Sequence, residues 1–174
     1  NPIDEISLAH LGRIFGASEE FSFNTWGDLG LSGWGGRNIK PFTGTADESI
    51  SLELFKYTVF RGGTMKPSVT MVKEGEVENL VRSDAGSIAI LSRMPEASSL
   101  KVLMISTGES NQAPAFGPTD DNVHYGDYPI RLAFYIAYNS RDDAKLRAVI
   151  RELLNDAVAT SLRENQLLSL PDTV

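Results

Sequence analysis

Cysteine is absent from the 174 residues. That excludes disulfides, thiol nucleophiles and zinc sites built on thiolates. Histidine is nearly absent: His10 and His124 are the only two, far apart and outside any His-x-x-x-His pattern. His10 falls inside a predicted helix, which gives it a surface or packing role rather than a catalytic one. There is no Gly-x-Ser-x-Gly elbow, so hydrolase chemistry of that type has no support. No apolar run approaches the roughly 20 residues needed to cross a bilayer. Lysine and arginine form no cluster and the net charge is −7, so neither a nucleic-acid partner nor membrane insertion is expected. An acidic chain can still hold an anion, because backbone dipoles act locally and outweigh distant charge.

Two motif-like features carry no chemistry by themselves. The run Gly30-Leu31-Ser32-Gly33-Trp34-Gly35-Gly36 matches neither the dinucleotide fingerprint nor the phosphate loop, and a strand-like stretch follows it where both motifs need a helix. It reads as a loop. The pairs Asp120-Asp121 and Asp142-Asp143 lack the further oxygen ligands that a hard cation needs. The first sits in a turn context. The second opens a helix, where carboxylates favour the positive dipole end. No cofactor and no catalytic residue is implied.

What is present is an ordinary globular composition, 41% hydrophobic and 22% charged. Ser7 is the expected cap of a helix carrying Leu8, Leu11, Ile14 and Phe15, which Gly16 ends. Residues 17–38 read as a long loop. A short strand is expected over Asn38–Thr43, then a helix over Asp47–Phe60 closed by Arg61-Gly62-Gly63. A short helix is expected over Glu76–Val81, then buried strands at Ser87–Leu91 and Leu100–Ile105. After a polar connection over 106–129, Arg131–Tyr138 reads as an aromatic-rich strand. A helix from Asp142 carries Leu146, Val149, Ile150, Leu153, Leu154, Ala157 and Val158 on one face and breaks near Thr160. Strands alternating with helices imply α/β layers. The opening Asn1-Pro2-Ile3-Asp4-Glu5 reads as the middle of a longer polypeptide.

Several segments, in order, resemble the phosphate-type substrate-binding proteins of ABC transporters. Ile14-Phe15-Gly16 is similar to the family's Ile-Phe-x-Gly helix end. Asn24-Thr25-Trp26-Gly27-Asp28-Leu29-Gly30 resembles its Thr-Asn-Trp-x-x-Leu-Gly turn. Ser49-Ile50-Ser51 falls where the family has Ser-Gly-Thr, and Asp84-Ala85-Gly86-Ser87-Ile88-Ala89 is similar to Asp-x-Gly-x-Ile-Gly. Tyr128-Pro129-Ile130 through Ile136, and Asn165-Gln166 to Leu170-Pro171, resemble the closing motifs. The resemblance implies a three-layer αβα lobe of the type 2 periplasmic-binding-protein fold with part of a second lobe. It implies residues 1–127 as lobe two and 128–174 as the segment returning to lobe one, with the opening part of lobe one outside this sequence.

The resemblance further implies a non-enzymatic receptor, periplasmic or secreted. It would bind a small anion such as phosphate in an interlobe cleft and serve the membrane components of a transporter. The ligand residues it implies are Thr45, Ser49, Ile50 and Ser51, at a helix start where unpaired N–H groups and hydroxyls converge. The family's glycine is here Ile50, its arginine is here Thr45, and Asp47 and Glu48 lie alongside. In the later motif Arg131 stands one position before the family arginine and Leu132 takes its place. The same stretch also reads as a capping box, Thr45 with Glu48 three residues on, which would satisfy the helix start from within. A ligand site and a self-capped helix both remain open, as do a solute receptor and a structural or regulatory protein that reuses the fold.

Overall fold

The computed structural model describes residues 1–18, 20–45, 50–108, 113–165 and 167–170. They divide into two compact units, Asn1–Arg131 and Leu132–Val174.

In the first unit, β1 (Glu5–Ser7) runs directly into α1 (Leu8–Phe15). Ser7 ends the strand and caps the helix, its Oγ accepting from the His10 N–H at 3.1 Å. Leu11, Ile14 and Phe15 share one face and are buried. Gly16 closes the helix where a Cβ would lie 2.6 Å from the Gly12 carbonyl oxygen, so no larger residue fits.

The long loop that follows is anchored at Trp26, the first residue of a 3₁₀ turn over Trp26–Leu29. Its ring is fully buried and its Nε1–H donates to the Gly86 carbonyl at 3.0 Å. The Asp28 carboxylate accepts from the N–H groups of Asn24 and Thr25, both at 2.8 Å, which holds its pKa below the usual range. Gly27 packs against Gly35 so closely that a Cβ would sit 2.7 Å from the Gly35 Cα. Close backbone approach therefore accounts for part of the glycine-rich run. The buried Lys66 ties the loop down from below, its Nζ donating to the Phe23 carbonyl at 2.7 Å.

β2 (Lys40–Gly44), α2 (Ile50–Phe60), β3 (Thr70–Val72), α3 (Glu74–Ser83) and β4 (Ser87–Ile90) follow. They build an all-parallel sheet in the order β3-β2-β4, with Phe42 opposite Thr70 on one side and Ala89 on the other. The chain crosses from β2 to β3 in one direction and from β3 back past β2 to β4 in the other. Right-handed crossovers therefore put α2 and α3 on opposite faces. Phe55 of α2 accordingly joins the main core, edge-on to Phe15 at 5.4 Å, whereas the equally buried Val77 of α3 lies outside that cluster. Helix, sheet and helix make the three layers expected from the sequence.

A second sheet joins β1 to β5 (Met104–Ser106) in parallel and β5 to β6 (Ala115–Phe116) antiparallel. β5 is thus shorter than the apolar run suggests, beginning at Met104, the residue that faces Glu5 at the start of β1. The connection over 106–129 holds β6 and α4 (Asp120–Tyr125), neither of which was expected. Thr119 caps α4, Asp120 and Asp121 occupy its first turn, and Gly126 ends it at φ 87°. The acidic pair is thus structural, but by the helix-dipole route rather than as a turn.

The second unit differs from expectation in two places. Arg131–Tyr138 forms no strand: among the described residues it has no ladder partner, and a strand exists only where a neighbour accepts its backbone bonds. The last helix breaks earlier than Thr160. A 3₁₀ turn over Ser140–Asp142 leads into α5 (Asp143–Leu153), the chain turns at Leu154-Asn155, and α6 (Asp156–Glu164) follows. Asn155 causes the break by capping α6, its side-chain oxygen accepting from the Val158 N–H at 2.9 Å.

Candidate ligand site at the carboxyl edge of a parallel sheet

In open α/β sheets the loops that leave the carboxyl edge diverge to opposite faces where the strand order reverses, leaving a crevice between them. Here that place is the end of β2, between β3 and β4. Thr45 follows β2 directly and is half-buried. Ile50 begins α2 and is 65% exposed. Ser51 is half-buried and engaged in an interaction of its own. Ser49 lies outside the described residues, as do Asp47 and Glu48 of the proposed capping box. Thr45 and the start of α2 thus flank the carboxyl edge. Ile50 presents a branched side chain to solvent at the first helical position.

The sequence reading missed Glu74. It begins α3 immediately after β3, at the same edge. Its Oε1 accepts from the Ser92 N–H at 2.8 Å and from the Ser92 hydroxyl. Its Oε2 lies over the end of β2, where a Cβ on Gly44 would meet it at 3.2 Å. One turn further, the Glu78 carboxylate accepts from the N–H groups of Glu96 and Ala97, both at 3.3 Å. α3 therefore clasps the chain that leaves β4 with two carboxylates, and one of them faces the edge where a ligand would sit. The signal available was a glutamate entering a helix after a short strand. The first-turn preference for acids explains its presence without predicting its reach.

Positive charge gathers at the opposite, amino edge of the sheet. Asp84, in the turn before β4, accepts from Lys40 Nζ at the start of β2, from the Gly86 N–H at 2.7 Å and from Arg37 at 3.2 Å. These donors, Lys40 first, hold its carboxyl far below the usual range. Arg37 also stacks over Trp34 at 4.9 Å. Arg131 is equally committed: its guanidinium folds against Gly126 and donates to the Val123 carbonyl at 3.3 Å, at the negative end of α4. Both arginines are thus engaged by partners other than the residues at the end of β2. Among the described residues, no group of three or more His, Asp or Glu converges as a metal site would require.

The architecture is an αβα lobe of the type 2 periplasmic-binding-protein fold. No family model and no curated protein matches the chain. Several chains of solved structures do, two of them as follows. One is described as a "possible phosphate binding protein" from Planctomyces limnophilus DSM 3776, with a TM-score of 0.79 and 19% identity; the match covers 99% of this chain and 62% of that one. The other is a provisionally assigned phosphate ABC transporter substrate-binding protein with bound phosphate, from Clostridium perfringens. Its TM-score is 0.66 at 16% identity, covering 98% of this chain and 65% of that one. The likeness establishes a shared fold, and this chain spans less than two thirds of the length of either structure.

Proposed function

We propose that this chain is the binding lobe of a solute receptor that holds a small oxyanion or polar solute at the end of β2 and the start of α2. The observation that carries the reading is the reversal of strand order at β2, which aims the start of α2 into the crevice that such sheets offer to ligands. Thr45, Ser49 and Ser51 supply hydroxyl donors there, and the first turn of α2 supplies N–H groups. Ile50 replaces the closest backbone approach with a side chain, so the ligand sits further from the helix axis than a glycine would allow. Residues 1–127 act as this lobe and 128–174 as the segment that returns to the other. The role is capture and delivery to transporter membrane components, in the periplasm or outside the cell, and it calls for no catalytic group.

Isothermal titration with phosphate, sulfate, molybdate and small carboxylates tests the reading. Saturable heat with at least one of them, weakened about tenfold in Ser51→Ala through loss of a hydrogen bond to a charged group, is expected. No heat with any of them would sink it. A second reading, a structural or regulatory protein built on the same fold, is favoured by the Glu74 carboxylate at the edge and by exposed Ile50. It predicts no titration with any solute and a protein partner recovered by pull-down.

A further inference from the structure

One edge of the parallel sheet stands open beside a basic flank. β2 has a strand on each side, whereas β3 has β2 as its only neighbour among the described residues. The outer edge of β3 therefore presents unpaired backbone N–H and C=O groups. Beside it lies a groove of about 450 Å³ between α2 and the chain that leads into β3, walled by Leu52, Met65, Pro67, Val69 and Met71. Val69 and Met71 are two residues apart and so share one face. Val69 is buried in the core, while Met71 is 49% exposed. Residues 54–73 carry Lys56, Arg61, Lys66 and Lys73 and no Asp or Glu, in a chain whose net charge is −7. Two of these cations are committed: Lys56 pairs with Glu53 at 2.7 Å, and the Lys66 ammonium donates to the Phe23 carbonyl. The other two are Arg61, just before Gly62 of the groove, and Lys73, just after β3. Both are exposed, and neither side chain has a partner among the described residues.

We propose that the outer edge of β3 and this groove form a docking site for an extended, acidic peptide segment of a partner protein. The segment binds as an added strand and places an apolar side chain in the groove. The parts match what strand addition needs: main-chain groups for affinity and a pocket beside the strand for specificity. Charge selects the occupant. Two copies of this chain paired at β3 would set one basic flank against another, which disfavours that pairing. An acidic segment meets Arg61 and Lys73 instead, so the same cations exclude one occupant and favour the other. The surface uses none of Thr45, Ser49 or Ser51, so the inference stands whether or not a solute binds at the end of β2.

Amide NMR titration of the protein with a synthetic peptide tests it. The probe is about eight residues long, enough for one strand, and alternates glutamate with leucine and valine. Saturable shifts are expected at Met65 and over residues 69–72, with slowed hydrogen exchange of the β3 amides. The same peptide with lysine in place of glutamate does not bind. Neither does one with proline at every second position, which lacks the N–H groups that pair. Added salt weakens binding. The double variant Arg61→Glu/Lys73→Glu weakens it about tenfold, and Met71→Ser about fivefold; both changes fall on exposed side chains, so the rest of the spectrum stays as it was. The proposal is overturned if the acidic peptide leaves β3 unshifted, if the lysine peptide binds equally, or if the charge-reversed variant binds the acidic peptide as before. It is also overturned if inorganic phosphate alone moves the amides of residues 69–71, or if these amides shift with protein concentration in the absence of peptide, the mark of a second copy.

Discussion

His10 has the packing role that its place inside a helix suggests. Its ring packs on Phe23 at 5.5 Å, and burial together with the nearby Arg13 guanidinium lowers its pKa from 6.5. The unfolded chain then binds a proton at a pH where the folded chain does not, so stability falls as pH drops below 6.5 towards the folded value. The melting temperature therefore declines from about pH 7 to pH 5, the range of imidazole titration, and His10→Gln flattens that part of the decline. An unchanged profile in the variant would remove His10 from the account. Trp26 carries more. Trp26→Phe keeps most of the apolar ring but removes one of the two hydrogen bonds that the Gly86 carbonyl accepts, the other coming from the Lys40 N–H, a loss of about 0.5–1.5 kcal/mol. Trp26→Ala costs about 3–5 kcal/mol. Urea denaturation measures both. The Ser7 cap was legible because its partner His10 is three residues away. The Trp26 bond spans sixty residues, and a sequence carries no local mark of such a contact.

Among the elements, those whose signals are local are the ones the sequence specifies well. α1, β2 and β4 begin within two residues of their expected starts, since caps, glycines and short apolar runs act at close range. β6 and α4 were missed because a two-residue strand and a six-residue helix bury too little to show a period. The early break of the last helix was missed because Asn155 interrupts an apolar pattern that itself continues past it. Asn155→Ala removes the α6 cap and costs about 1 kcal/mol. The expected readout is lower helicity by circular dichroism, with slower exchange in residues 1–131 left as it was.

Glu74 makes a second prediction at this scale. Glu74→Gln keeps the shape and the Ser92 contacts but removes a charge facing the ligand edge. Fully ionised anions then bind about fivefold tighter, the effect of one like charge a few Å away in water. Equal titration curves for the variant and the original would place Glu74 away from the ligand.

For the molecule as a whole, two parallel-containing sheets and the reversal at β2 set the position of the proposed site, and neither is visible to periodicity. The sequence orders the elements; strand order emerges only when the core around Phe15, Trp26 and Phe55 closes. Of the ligand residues the sequence suggests, Thr45, Ile50 and Ser51 lie at the end of β2 and the start of α2 and Ser49 lies outside the described residues; the opposing carboxylate from α3 was not legible, because it arrives across the sheet.

The most direct test of a ligand at that edge is an amide NMR titration of the protein with phosphate, followed by sulfate, molybdate and small carboxylates. The account predicts saturable shifts centred on Thr45, Ile50, Ser51 and Glu74, with Asp84 and Gly86 at the far edge unmoved. Shifts confined to the far edge, or no saturable shift with any of these solutes, would contradict it.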